Sequence, residues 1–471
     1  MKPPETIRVL SYVCDGRVGA RPELAEAIRA GIADGADVVS AQGNGMDAGP
    51  YYLGAGETGA PPTPANFEAA VWGAKTAGIP FVMSLGGRGG SDKQLEAYLK
   101  VFDEMARDKG RPIRAAVISG EVGKEFLRGK LDSGVAMPRL SPTPRLSEWL
   151  TRAEVDEAEV IQAQMGPEPI MAALKAYDEG EIDGVLTGRA LDSGIHMAYP
   201  LHRGFPVATA GHMAKIIECG SMCCDPPNPF SAVMAEISRS GDISVWPALT
   251  KYRCTVKSVA SHAVYERENP HEERNPGGVL DVSEAEYAQV DDRSVRVSGA
   301  AWLPTPYAVK LEGVRSLGHE TAVLAVTNDP TLVAGVDAYV AHIVSEATDY
   351  VVTSGIAAAG TFKIVVHVIG AGVLPTGPAD ARRPSEVGLL VRVVAPTPEA
   401  SLYIASTVRV RLQMSDYPGR TTTAGNLAFP LQKVFMEQGE THVFNIWHLL
   451  PLVDPTEPFP FNVIEFPRPT R

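Results

Sequence analysis

Residues 1–230 alternate short apolar runs with amphipathic segments, and most of the runs end in a polar loop rich in glycine. This alternation constrains the fold more than any other feature. Repeated strand–helix–strand units give a parallel sheet covered on both faces by helices. The runs Ile7–Tyr12, Ala36–Ala41, Ile79–Met83, Arg114–Ile118, Val160–Gln164 and Gly184–Thr187 are predicted strands. Glu23–Ala33, the segment from Thr63 to Ala77, and Gln94–Arg107 are predicted helices. Pro22 and Pro64 suit a first helical turn, and Thr63 suits an N-cap.

Ligands of such sheets sit outside the carboxyl ends of the strands. Five loops leave predicted strand ends there: Cys14–Arg17, Gln42–Gly56, Ser84–Lys93, Ser119–Glu121 and Thr187–Ser193. The second, Q-G-N-G-M-D-A-G-P-Y-Y-L-G-A-G, holds five glycines, which add no packing but let a main chain turn sharply and come close to a partner. Each loop alone reads equally as a surface turn; together they mark a binding cleft. Gln42, Asn44, Gly45, Gly87, Arg88, Arg189 and Asp192 are the expected substrate-binding residues. Gly86–Gly90 before a helix suits an anion, and Arg88 and Arg189 add fork-shaped donors for a carboxylate or phosphate. The alternative is that each arginine pairs with the acid of its own loop, Asp92 or Asp192. A dinucleotide fingerprint and a phosphate-binding P-loop are both absent from the sequence, so neither a nicotinamide nor a nucleotide cofactor is expected.

Ala210–Cys224 carries His212, Lys215, Glu218 and three cysteines, with His212, Lys215 and Cys219 roughly on one helical face. The spacing Cys219-x-x-x-Cys223-Cys224 lacks the paired C-x-x-C of structural zinc sites, so no metal ligand is assigned and buried thiols are expected. His212 reads as a polar cap or an acid/base group. From Ile237 the texture becomes β-rich, with predicted strands Ile243–Trp246, Arg253–Val256, Ser294–Val297 and Tyr307–Leu311. Between them His262, Tyr265 and Glu266 form either a proton-handling group or a solvated turn. The last third returns to α+β. The resulting division is an α/β ligand-binding domain over 1–230, a β-rich segment over 231–315 and an α+β domain over 316–471.

The chain has 471 residues, 45% of them hydrophobic and 21% charged, as in soluble globular proteins. A net charge of −13 makes nucleic acid an unexpected partner. No apolar run approaches the length that spans a bilayer, and the first residues lack the apolar core of a secretion signal. Five clustered cysteines fit reduced thiols in a cytoplasm. Short strands whose edges need covering point to an oligomer.

Several motifs occur in order along the chain: Gln42–Gly56, Gly86–Gly90, T-G-R-A-L-D-S at Thr187–Ser193, and G-H-M-A-K-I-I-E-C-G at Gly211–Gly220. They continue with the block from His262 through Pro276-Gly277-Gly278 to Asp281, and with Y-P-G-R at Tyr417–Arg420. Together they resemble the acyclic terpene utilisation (AtuA-like) family over nearly the whole chain. The resemblance implies a role in breaking down branched terpenoid acids as acyl-CoA thioesters, beside a small partner protein. Two function classes stay open. One is a lyase (hydratase or dehydratase) or isomerase acting on a small carboxylic acid or its CoA thioester, with Asp47, Glu121, His212 or His262 as base. The other is a non-catalytic subunit that binds acyl-CoA or presents the partner. The chemistry needs no redox cofactor; a carboxylate cluster binding Mg²⁺ in the cleft, from Asp15, Asp47, Glu121 and Asp192, is a third variation.

Overall fold

The computed structural model describes residues 4–14, 22–142, 144, 146–370, 385–421 and 426–469. The loop expectation at Asp15–Arg17, with the Mg²⁺ candidate Asp15, lies outside them. The chain forms two compact units, residues 1–314 with 444–471 and residues 315–443.

The first unit is a mixed α/β body around a ten-stranded sheet. In chain order its first strands are β1 (Thr6–Val13), β2 (Val38–Gln42), β3 (Phe81–Ser84) and β4 (Ile113–Ile118). After β5 (Val160–Gln164) come β6 (Gly184–Thr187), β7 (Val233–Ser238) and β8 (Ile243–Pro247). The central order β1-β2-β3-β6-β4 is parallel throughout. Antiparallel strands extend it: β7, β8, Val295–Ser298 and Glu286–Gln289 beyond β1, and Phe461–Phe466 beyond β4.

The sequence dictates this burial. Strands β2, β3 and β6 are buried at every residue, which is what continuous apolar runs require in a sheet covered on both faces. Successive side chains alternate between two cores. Val9, Val38, Val82 and Val185 pack with the helices Pro167–Asp178, Asp192–His202 and Val207–Ile217. Leu10, Val39, Met83 and Leu186 pack with Pro22–Ala33, Glu68–Ala77 and Asp92–Lys109.

Three local expectations differ. β5 does not join the parallel sheet but pairs antiparallel with the strand Ala308–Thr327, setting Gln162 opposite Glu312. The predicted strand over 253–256 gives way to a helix, Val256–Ala263, because Thr255 and Ser258 form a capping box. The segment from Thr63 breaks into a 3₁₀ turn, Pro64–Asn66, and the helix Glu68–Ala77.

In the second unit, antiparallel strands (Lys363–Ile369, Val387–Ala395 and the end of Ala308–Thr327) pack on the helices Val336–Thr353 and Pro398–Met414. With the strand that follows, the element order is the split βαβ arrangement.

Candidate functional site

Because the five central strands run one way, the loops after β2, β3, β4 and β6 all leave the same edge of the sheet. Glycines let them touch. A Cβ on Gly120 would lie 2.4 Å from the Arg189 nitrogen, and one on Gly188 would lie 2.8 Å from the Gly120 nitrogen. A Cβ on Gly43 would lie 2.4 Å from the Ser84 carbonyl oxygen. Gly87 donates its N–H to the Gly43 carbonyl, and Gly45 donates to the Gly87 carbonyl, both at 2.9 Å.

Arg189, 4% exposed, sits where these loops meet. Its Nε and Nη2 donate to Glu312 at 2.9 and 3.2 Å, and its Nη1 donates to the Asn44 Oδ1 at 3.0 Å. Glu312 is fully buried and also accepts from Lys310 at 3.0 Å and from Gln162 at 3.0 Å. Burial alone would raise this carboxyl, but Arg189 and Lys310 hold it down to about 2. Asn44 is fixed in turn, donating to the Gly188 carbonyl at 2.8 Å and accepting at its own carbonyl from Gln42. Glu312 is thus the main carboxylate on Arg189, from a strand more than a hundred residues away, while the Asp192 Oδ1 is 3.8 Å from Nη1.

Asp192 opens the helix Asp192–His202. Its side chain is 36% accessible, yet its Oδ1 is shut from solvent and has no hydrogen-bond partner. Desolvation raises this carboxyl above its ordinary value, with Arg189 and Gln42 opposing.

A second group lies at the end of the helix Val207–Ile217. Lys215 Nζ donates to Glu218 Oε1 at 2.6 Å, and the Tyr265 hydroxyl donates to the same oxygen at 3.0 Å. The Lys215 ammonium stands 4.2 Å from the centre of the Tyr265 ring, and Cys219 Sγ is 3.0 Å from the Tyr265 oxygen. Burial pushes the Glu218 carboxyl up to about 8 against the pull of Lys215, with the charges of Glu273 and Asp192 adding to the rise. The electrostatic reach of Asp192 to Glu218, and of Lys215 to Asp192, brings the two groups into one polar region.

Residues 87–443 match the family model described as acyclic terpene utilisation family protein AtuA. The chain belongs to the acyclic terpene utilisation family. Comparison with curated proteins and with solved structures found no match. The span matched to the AtuA family holds Arg189, Asp192, Lys215, Glu218, Tyr265 and Glu312, whereas Gln42, Asn44 and Asp47 precede it. No helix among the described residues of this AtuA-family chain is long and apolar enough to cross a membrane.

The remaining sequence candidates fall as follows. Asp47 is exposed and, with Gly45, Ala48, Gly87 and Arg88, lines a cavity of about 240 Å³. The Arg88 guanidinium stands 5.0 Å from the Tyr52 ring centre. Gly45 lacks a left-handed φ, and a Cβ on it would meet only the Asp47 Oδ2, at 3.8 Å, whereas one on Gly43 would strike the Ser84 carbonyl. In the loop after β3, Gly90 and Ser91 donate their N–H groups to Gln94 Oε1 at 2.8 and 3.0 Å, and Asp92 donates to Glu121 at 2.7 Å. Glu121 therefore caps a helix, with burial raising its carboxyl. His212 is buried with Nε2 3.1 Å from the Tyr287 hydroxyl, and burial pushes its imidazole down to about 4. His262 lies against Tyr265, ring centres 4.4 Å apart; burial and then the Lys215 charge hold it at about 4. Both rings are neutral at neutral pH.

Lys215 and Glu218, three residues apart at the end of a largely apolar helix, were visible as a signal for a buried polar pair. Nothing local marks Lys310 or Glu312, whose roles come from the pairing of β5.

Proposed function

We propose that the chain is a lyase or isomerase that moves protons on a small carboxylic acid or its CoA thioester within terpene utilisation. One observation carries the reading: Glu218, buried against Lys215 and Tyr265, shares a polar region with Asp192, and both carboxyls are raised. Hydration, dehydration and double-bond migration all need a proton taken beside a carbonyl and a proton delivered elsewhere. Two carboxyls in different surroundings, one buried and one beside a guanidinium, are suited to that division of labour. Burial favours the protonated form of Glu218, which makes it the acid. The Arg189 cation favours the ionised form of Asp192, whose side chain is 36% accessible, and Asp192 is the base. The Lys215 ammonium, with hydrogens beyond the one given to Glu218, supplies a donor for developing negative charge on the substrate carbonyl. Arg88, beside the cavity lined by Asp47 and Gly87, takes the anionic end.

The test is solvent-deuterium exchange. The purified chain is incubated in D₂O with a panel of unsaturated and hydroxy acids and their CoA thioesters, and label at carbon is read by NMR. Exchange is expected with at least one member, falling about a hundredfold or more in Glu218→Gln. Absence of both exchange and turnover for compounds that calorimetry shows to bind would defeat the proposal and leave a binding subunit.

A further inference from the structure

Three of the five cysteines, none of them given a role in this chemistry, meet in one cluster. Cys223 ends the 3₁₀ turn Gly220–Cys223, Cys224 follows it, and Cys254 comes from the segment before the helix Val256–Ala263. All three are buried, at 0%, 1% and 0% exposure, and their sulfur atoms all lie within 4.8 Å of one another. Their placement is built by the backbone. Asp225 and Arg253 form an antiparallel bridge, with Asp225 N–H donating to the Arg253 carbonyl at 2.7 Å, which sets Cys224 opposite Cys254. The Cys254 N–H donates to the Arg293 carbonyl at 2.9 Å. The resulting Cys224–Cys254 sulfur separation is 3.7 Å. Two thiolates on one ion at about 2.3 Å each, at a tetrahedral angle, stand about 3.8 Å apart. The spacing of this pair, in the free chain a thiol–thiol hydrogen bond, matches that of shared ligands and not that of a disulfide at about 2.0 Å.

We propose that Cys223, Cys224 and Cys254 bind one thiophilic d¹⁰ ion, zinc(II) or copper(I), as a three-thiolate site. Binding exchanges the three S–H protons for three metal–sulfur bonds and releases the protons to solvent, with no change of oxidation state. Soft thiolates select such ions over magnesium or calcium. Zinc with three thiolates carries a net negative charge, and a cation stands by to balance it. The Arg293 guanidinium, held by the carbonyls of Tyr252, Pro247 and Leu249, acts electrostatically on Cys224 and Cys254. The sequence concealed the site because its third ligand comes from Cys254, so no C-x-x-C pair exists. The ion would tie the turn after Glu218 and Cys219 to the segment that leads to His262 and Tyr265.

The experiment titrates the reduced full chain anaerobically with zinc(II), and separately with copper(I), against a competing chromophoric chelator. Cobalt(II) then reports thiolate ligation through its sulfur-to-metal charge-transfer absorption. One equivalent per chain is expected, together with the cobalt charge-transfer band. Both should be lost in Cys224→Ser and in Cys254→Ser and kept in Cys14→Ser. The cobalt spectrum is read on the unaltered chain, so a variant that fails to fold does not blunt the test. Wild-type uptake no greater than that of the serine variants, or a cobalt spectrum without thiolate bands, would overturn the proposal. So would a Cys224–Cys254 disulfide, found by mass spectrometry after mild oxidation, in a chain that takes up none of the three ions when reduced.

Discussion

Arg189 shows how one side chain can look like a ligand clamp in sequence and act as a keystone in the fold. Its guanidinium is buried, and its fork is engaged by Glu312 and Asn44. Removing one partner of such a pair leaves an uncompensated charge, at a cost of about 3–5 kcal/mol. Glu312→Gln should therefore lower the free energy of unfolding by about that much at pH 7, read from urea denaturation. The pH dependence has a definite sign. The folded carboxyl, at about 2, lies below its unfolded value of about 4.3, so its stabilisation is complete above that value and is lost as pH falls toward 2. Glu312→Gln should flatten that acid limb. Glu218 runs the other way. Its folded value of about 8 exceeds the unfolded one, so the folded state loses stability as pH rises from about 4.3 to about 8. If protonated Glu218 is the acid, exchange should fall as pH passes about 8, and Glu218→Gln should remove that limb along with most of the rate.

At the scale of elements, the glycines divide into those that pack loop against loop and those that leave room. Gly120→Ala would press a methyl to 2.4 Å from the Arg189 backbone nitrogen, a contact that forces the loop to move. Overpacking of this kind costs about 1–3 kcal/mol, and here it also displaces Arg189. Gly45→Ala meets only the Asp47 Oδ2, at 3.8 Å, so stability should stay within about 0.5 kcal/mol while binding in the adjoining cavity weakens. Thermal denaturation and calorimetry separate the two. This division marks the limit of what the sequence discloses. Runs such as Val38-Val39 and Phe81-Val82-Met83 state their burial outright, so the parallel strands and the shared edge of their loops were legible. A glycine states only that a side chain is unwelcome. Whether a ligand or a neighbouring loop excludes it depends on packing between strands far apart in the chain. Strand β5, V-I-Q-A-Q, has Gln162 at its centre and pairs with Ala308–Thr327 instead, and Glu312 arrives through that pairing. Its partner was not readable because hydrophobic pattern fixes which face is buried, not which strand lies alongside.

For the whole molecule, the chain leaves its first unit at Val314 and comes back at Phe444. The return strand contributes Trp447, whose ring centre lies 3.6 Å from the Lys310 ammonium, and Ile446, whose Cβ lies 2.8 Å from where a Gly313 Cβ would sit. Farther on, Phe461–Phe466 pairs along β4, and Arg468 bridges Asp103 at 2.7 Å and Glu96 at 2.8 Å. Every side chain assigned to the proposed chemistry, from Asp47 and Arg88 through Lys215 and Glu218, therefore belongs to this unit, as do the partners that orient Arg189. The close contact of Gly313 with Ile446 also means that the two chain ends created by removing residues 315–443 can be joined by a short turn. Replacing that segment with a glycine–asparagine turn should yield a folded protein, checked by circular dichroism and a cooperative urea transition. It should show the same solvent-deuterium exchange, lost again in Glu218→Gln. A folded but inactive product would assign part of the reaction to residues 315–443, and the acid/base roles given to Glu218 and Asp192 would then be insufficient on their own.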